Sequence, residues 1–178
     1  MRIVICALAL VAAIQHTNRP VKRGNQFAGT CPGIKRPLVS PNRRWSVECR
    51  EKPTNKPDED HHVILQDARS GRSEELHACP RGCDLFWSPA GDRLALEDNY
   101  ASTDTNSFVY TPTDPARVED VFELLRAQQS PSSLAFVDGK DHVYLEVVRW
   151  IDNAHLRVRL WGHGDQQSFD RRYTVRIE

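Results

Sequence analysis

The sequence predicts a mostly-β protein in which about three antiparallel sheet units stack, with one inserted amphipathic helix. Three observations support this prediction. Apolar and polar residues alternate along several short segments after Leu38, three segments resemble one another, and one stretch has helical spacing. Alternation with a period of two is typical of strands that bury one face. At 178 residues, the chain has the size of one ordinary domain.

Three self-similar segments define the predicted sheet units. Each contains a turn, an alternating strand, a polar loop and a second strand. The three copies begin in residues 38–47, 86–96 and 149–160. The strands after the polar loops are predicted at residues 62–67, 107–111 and 172–177. In the last unit, strands at residues 143–150 and 156–161 precede the final strand, which predicts an antiparallel meander.

One helix is predicted in the longer gap before the third copy. Asp114 has the character of an N-cap, and Pro115 that of a first helical residue. Apolar residues then recur at helical spacing from Val118 to Leu125. Ser130 and Pro131 end this pattern, so the helix is expected to stop before them.

The second copy carries the most specific motif, Phe86-Trp87-Ser88-Pro89-Ala90-Gly91-Asp92. This segment resembles the Trp-Ser-Pro-Asp-Gly repeat of TolB-like bacterial β-propellers. The match is good over this copy and loose over the other two, and Ala90 stands where the family usually has Asp. Closed propellers have about four to eight blades, so the resemblance implies a partial β-propeller-like arrangement. An ordinary antiparallel sheet protein with a chance turn motif is the alternative.

A signal peptide is predicted at residues 1–13. Arg2 precedes an apolar run that ends in small residues at Ala12 and Ala13, and the run is too short to span a bilayer. A buried first strand is the alternative. Residues 14–37 are predicted to form a basic extended tether, followed by one β-rich domain at residues 38–178. The expected location is periplasmic or secreted.

Charge is unevenly distributed although the whole chain is neutral. The first 47 residues carry eight Lys and Arg and no acidic residue. The 24 acidic and 16 basic residues that follow give residues 48–178 a net charge of −8. A basic arm can bind nucleic acid or act as a solvated tether, and export favours the tether.

The cysteines agree with an exported protein. Removal of the signal peptide would discard Cys6 and leave Cys31, Cys49, Cys79 and Cys83, an even number that suits an oxidising compartment. Three pairings are open, of which Cys31–Cys49 and Cys79–Cys83 are favoured. A zinc site is the alternative, but the cysteines lack the usual paired two-residue spacings.

Catalytic motifs are missing from the sequence, and the oxygen-rich segments are better explained as solvated loops. The chain has no Gly-x-Ser-x-Gly elbow. Residues 58–62 and 98–106 are rich in metal-ligating side chains, but they lack a recognised ligand spacing. His163 would need a carboxylate such as Asp165 to act as an acid or base. We therefore expect no enzyme activity, no cofactor and no resident metal.

A protein-binding face is predicted where the loops at residues 51–61, 98–106 and 162–167 emerge on one side. The candidate partner-binding residues are Asp58, Glu59, Asp60, Asp98, Tyr100, Asp104, Trp161, His163 and Asp165. Their charge predicts a protein partner with a basic surface, no nucleic acid and no membrane insertion, with a homodimer left open. The functional hypothesis is an inhibitor or immunity protein. The alternatives are an exported hydrolase or metal-dependent enzyme, or a component of an envelope assembly.

Overall fold

The computed structural model describes residues 28–51, 61–113, 115–138, 140, 142–164 and 168–178. Its strands are β1 (Ala28–Cys31), β2 (Leu38–Val39), β3 (Trp45–Glu51), β4 (His61–Asp67), β5 (Ser73–Cys79), β6 (Cys83–Trp87), β7 (Leu94–Asp98), β8 (Asp104–Thr111), β9 (Arg117–Asp120), β10 (His142–Trp150), β11 (His155–His163) and β12 (Ser168–Arg176). The helices are α1 (Val121–Gln128) and α2 (Pro131–Leu134), followed by a 3₁₀ turn at Ala135–Val137. Within these ranges, no helix has the length and apolar character needed to cross a membrane.

These strands form two sheets, so the prediction of a mostly-β protein with stacked sheets is confirmed. The smaller sheet has the order β2-β3-β4-β5, and the larger has the order β1-β6-β7-β8-β10-β11-β12 with β9 paired to β8. A short parallel pairing of β8 with β10 joins the second and third units edge to edge, with Asp104 opposite Val143. The strand positions of the three units match the sequence analysis closely, whereas β1, β5 and β9 were not predicted.

The core has two layers because the strands β6 to β8 are buried on both faces. Leu85 and Trp87 face the smaller sheet, together with Leu94 and Leu96. Phe86 faces the opposite layer, which contains α1 and the inner residues of β10 to β12. Trp87 is 1% exposed, and its Nε1 atom donates a hydrogen bond to the carbonyl oxygen of Leu38 at 3.1 Å. The predicted role of Trp87 as a core anchor is confirmed.

The first two self-similar segments fold into the same turn. The Ser40 amide donates to the Trp45 carbonyl at 2.8 Å, and the Ser88 amide donates to the Arg93 carbonyl at 2.8 Å. In return, the Ser40 hydroxyl accepts from the Trp45 amide at 3.0 Å, and the Ser88 hydroxyl accepts from the Arg93 amide at 3.1 Å. The third segment closes a shorter turn, in which the Ile151 amide donates to the next strand.

Two disulfides connect the two sheets. Cys31 in β1 bonds to Cys49 in β3, with the Cα atoms 5.5 Å apart. Cys79 in β5 bonds to Cys83 in β6, with the Cα atoms 6.0 Å apart. The pairing is the one that the sequence analysis favoured. Such crosslinks are typical of proteins that mature in oxidising compartments.

The helix begins later than predicted. Arg117–Asp120 forms β9, in which Arg117 pairs with Thr111 of β8, and Val118 is 52% exposed. Asp120 is the N-cap, since its Oδ1 atom accepts from the Phe122 amide at 2.8 Å. Strand pairing therefore extends the sheet up to this capping carboxylate. The predicted cap, Asp114, lies outside the described residues.

The predicted tether also ends earlier than expected. Ala28–Cys31 pairs with β6 as an edge strand of the larger sheet, and Cys31 is fully buried. The fold therefore includes residues 28–37, which the sequence analysis assigned to the tether. Backbone pairing and the disulfide to Cys49 fix this segment despite its polar composition. The predicted signal peptide lies outside the described residues.

Candidate binding face

The strand ends beside the first two predicted loops lie at the same end of the molecule. His61, the first residue of β4, is opposite Cys79. The disulfide links Cys79 to Cys83, and Cys83 is opposite Asp98 at the end of β7. These pairings bring the ends of β4 and β7 together, although they belong to different sheets.

The third loop joins the same end through the larger sheet. Asp104 at the start of β8 is opposite Val143 of β10, and Val143 is opposite Gly162 near the end of β11. The three loops predicted to form one face thus leave from neighbouring strand ends. We call this end of the molecule the loop end.

The short loop at residues 99–103 joins β7 to β8 at the loop end. Its backbone is held by β10, since the Tyr144 hydroxyl donates to the Ser102 carbonyl at 2.8 Å and the Val143 amide donates to Thr103 at 3.2 Å. The side chain of Tyr100 is not covered, and the residue is 45% exposed. Partial burial and, after it, the neighbouring carboxylates of Asp104 and Asp98 raise the pKa of Tyr100. Its hydroxyl therefore remains protonated at neutral pH.

Tyr100 lines an open cavity of about 340 Å³. Its lining combines apolar side chains from α1 and β10 with charged and polar side chains. The lining includes Tyr100, Asp104, Phe122, Arg126, Val143 and Leu145. A concave surface with apolar side chains and several polar groups can accept a partner side chain or a small ligand.

On the other face of β10, four rings form an aromatic ladder, defined by His142, Tyr144, Trp161 and His163. Tyr144 stacks on Trp161 with ring centroids 4.2 Å apart, and His142 stacks on His163 at 4.3 Å. The cross-strand register places each ring directly opposite its neighbour. His163 is exposed and Trp161 is half-buried, so the ladder is partly accessible to solvent.

Arg159 contacts the Trp161 ring of this ladder and holds it in place. Its guanidinium lies 5.1 Å from the ring centroid of Trp161 and donates to both carboxylate oxygens of Asp170, at 3.0 and 2.7 Å. Hydrogen bonding to Arg159 lowers the pKa of Asp170, and the same contact, with the charge of Glu146, raises the pKa of Arg159. The cation therefore stays charged and oriented against the Trp161 ring.

Of the nine predicted partner-binding residues, the structure places Tyr100, Asp104, Trp161 and His163 at the loop end. Asp98 does not belong to this surface, because it is 5% exposed and its Oδ2 atom lies 2.7 Å from His77 Nε2. The sequence analysis assigned Asp98 to a loop, but the residue ends β7 and points between the sheets. The remaining four candidates, Asp58, Glu59, Asp60 and Asp165, lie outside the described residues.

The sequence analysis did not identify a buried chain of three polar residues behind this face. His77 contacts Asp98 through Nε2 and the Tyr110 hydroxyl through Nδ1, the latter at 2.9 Å. Because an ionised carboxylate can only accept, Nε2 donates to Asp98, and in the neutral imidazole Nδ1 accepts from Tyr110. Burial and, after it, the charge of Asp98 raise the pKa of Tyr110 far above its ordinary value. The Tyr110 hydroxyl therefore remains protonated throughout the physiological pH range.

The sequence contains a signal for part of the aromatic ladder but none for the contact between His77 and Asp98. His142 and Tyr144 alternate along β10, so a common face could be predicted from their spacing. Their stacking on His163 and Trp161 depends on the register of β10 and β11, which spacing within one strand does not determine. His77 and Asp98 are 21 residues apart and meet only because the two sheets stack.

Comparisons with known proteins give no relative for this chain: no family model matches it, and no curated protein sequence matches it.

Proposed function

We propose that this chain is an exported, non-catalytic protein that binds another protein at the loop end, as an inhibitor or immunity protein. The observation that carries the proposal is Tyr100, an aromatic side chain 45% exposed that lines a cavity with both polar and apolar residues. Exposed aromatic residues beside a pocket often dominate the free energy of protein association. The rigid sheets below supply a preorganised support for the loops.

Charge favours a partner with a basic surface. Asp58, Glu59 and Asp60 lie between β3 and β4 in the sequence, and Asp104 begins β8. Carboxylates near a docking surface accelerate encounter with a basic protein, an effect that salt screens. Arg126 lines the same cavity but lies 3.9 Å from the Asp138 carboxylate, and Arg159, in the middle of β11, is paired with Asp170.

Export belongs to the proposal because it combines the predicted signal peptide with the two disulfides. The resemblance to TolB-like repeats also belongs to it, since repeated units that share one orientation would present their loops together.

A photocrosslinking experiment tests the docking site directly. A photoreactive amino acid would replace either Tyr100 or Ile151, residues that are 45% and 43% exposed. Ile151 lies in the turn between β10 and β11, at the end of these strands opposite to His142 and His163, so it is a matched control. We expect an adduct with one other protein from position 100 and none from position 151. Equal adducts from both positions, no adduct, or an adduct with a second copy of this chain would contradict the proposal.

The identified partner then allows a kinetic test. Exchange of Asp58, Glu59 and Asp60 for Lys should slow association about tenfold or more at low salt, and the difference should shrink at high salt. Tyr100→Ala should instead accelerate dissociation, as expected for loss of an anchor residue. Asp152→Lys, in the opposite turn, serves as the control. Unchanged association and dissociation rates in the loop-end variants would place the binding site elsewhere.

A further inference from the structure

We propose that His77, Cys79, Cys83 and Asp98 form a transition-metal site that reduction of the Cys79–Cys83 disulfide opens. The ligand atoms of His77, Cys79 and Asp98 all lie within 4.8 Å of one another. Cys83 completes the set, because it is bonded to Cys79 and is opposite Asp98 in the pairing of β6 with β7. We call these four residues the redox cluster.

The donor set suits Zn²⁺. Two thiolates, one imidazole and one carboxylate give a tetrahedral arrangement of the kind that zinc prefers in proteins. The ligand atoms of such a centre lie about 3.3–3.8 Å apart, given metal–ligand bonds of about 2.0–2.3 Å. In the oxidised chain the ligand atoms of His77, Cys79 and Asp98 lie within 4.8 Å of one another, and the closest pair, Nε2 and Oδ2, is 2.7 Å apart. Metal binding would separate this pair by about 0.6–1.1 Å, and breaking the disulfide lets each Sγ atom turn toward the shared centre.

The carboxylate of Asp98 is a second observation that points to a ligand. Asp98 is 5% exposed, and its Oδ1 atom is buried without a hydrogen-bond partner among the described residues. Buried polar atoms are nearly always paired, so an unpaired carboxylate oxygen costs stability. A bound cation would neutralise the carboxylate and occupy that oxygen.

The surroundings provide both an entry path and an outer partner. The side chain of His77 is 17% exposed, whereas that of Asp98 is 8% exposed, so an ion can approach along the imidazole. Tyr110 is held at His77 Nδ1 at 2.9 Å. When a metal binds Nε2, the imidazole proton moves to Nδ1 and is donated to the Tyr110 oxygen. Outer partners of this kind orient metal-binding histidines.

The reductant of the Cys79–Cys83 disulfide would be a dithiol protein. A dithiol protein transfers two electrons and two protons to the Cys79–Cys83 disulfide and becomes a disulfide itself. The products are two thiols, and each loses its proton when its sulfur bonds to the metal. In the oxidised chain both sulfur atoms are held in the disulfide and cannot bind a metal as thiolates. Only the reduced chain has the two thiolate ligands. The cluster lies behind the loop end, and Asp98 is 5% exposed, so these four side chains are not part of the surface that we propose for partner binding.

Titration of the full chain with Co²⁺ tests the proposal, since thiolate ligation produces charge-transfer absorption and a tetrahedral site gives intense visible bands. A phosphine would reduce the chain, taking oxygen from water as it becomes a phosphine oxide, and it leaves no competing thiol. We expect one Co²⁺ per reduced chain, displaced by Zn²⁺, and no such spectrum from the oxidised chain. His77→Gln, Asp98→Asn and Tyr110→Phe should each weaken binding about tenfold or more.

Matched variants separate the redox cluster from the other thiols and histidines. Cys79→Ser/Cys83→Ser retains Cys6, Cys31 and Cys49 and should lose the spectrum, whereas Cys31→Ser/Cys49→Ser should keep it. His155→Gln removes another histidine–aspartate pair and should bind like the wild type. Circular dichroism would follow folding, and refolding of a reduced chain upon metal addition would also support the site.

Four results would overturn the proposal. They are equal binding by the oxidised chain, retained binding in Cys79→Ser/Cys83→Ser, unchanged affinity in both His77→Gln and Asp98→Asn, or a reduced chain that neither binds Co²⁺ nor refolds with it. None of these results depends on the crosslinking outcome at Tyr100, so the two proposals can fail separately.

Discussion

Trp87 stabilises the contact between the sheets through both its ring and its indole N–H. It is 1% exposed and bonds to the carbonyl of Leu38 in the other sheet. We expect Trp87→Ala to lower the free energy of unfolding by about 3–5 kcal/mol, the usual loss for a large buried ring. Urea denaturation would measure it. Ile151→Ala, at an exposed apolar residue, should change stability by less than about 0.5 kcal/mol. A Trp87→Ala protein as stable as the wild type would contradict the core assignment.

The ion pair of Asp170 with Arg159 gives stability a pH dependence of known sign. Hydrogen bonding to Arg159 lowers the folded-state pKa of Asp170, so the charged form is favoured by folding. Its contribution is present above the unfolded pKa of about 4 and disappears as pH falls through the lower folded pKa. The stability difference between wild type and Asp170→Asn should therefore be constant near neutral pH and shrink below about pH 4. Urea midpoints across this range would measure it, and a difference independent of pH would contradict the pairing.

At the scale of the elements, the two equivalent turns provide a paired test of backbone strain. Gly91 has φ of 73° and Arg43, at the same turn position, has φ of 58°. A Cβ atom at Gly91 would lie 2.9 Å from the Asn42 and Pro41 nitrogens. Gly91→Ala should therefore cost at least about 1–2 kcal/mol. Arg43→Gly, which relieves a positive φ at an exposed position, should be neutral or stabilise by up to about 1 kcal/mol. Thermal denaturation would compare them, and equal losses would contradict the assigned turn geometry.

The start of α1 was decided by strand pairing and not by the helical spacing of apolar residues. The helical spacing after Val118 did predict α1, whose buried residues Val121 and Leu125 face the core. The start was wrong because Arg117–Asp120 pairs with β8. An N-cap signal depends on a short polar side chain, and both Asp114 and Asp120 offer one. Only the neighbouring strand determines which of them ends the extended segment.

At the scale of the whole molecule, covalent and polar contacts hold the two sheets together. The disulfides close loops with sequence separations of 18 residues for Cys31–Cys49 and 4 for Cys79–Cys83. By loop entropy, Cys31→Ser/Cys49→Ser should cost about 3 kcal/mol and Cys79→Ser/Cys83→Ser about 2 kcal/mol. Denaturant unfolding of the two variants would measure both losses. The reverse order would show that native packing at the cysteines outweighs the entropy of the unfolded chain.

The sequence by itself determined the strand periodicity, the two Ser-Pro-type turns and the burial of Trp87, because local spacing and backbone preference are readable within a few residues. It favoured the observed cysteine pairing but left the three possible pairings open. The tertiary structure alone decided that Asp98 is buried against His77, that Tyr144 stacks on Trp161, and that residues 28–31 join the larger sheet. Each of these contacts joins segments that are distant in sequence. Their positions depend on register and sheet stacking, which the pattern within a single strand does not specify.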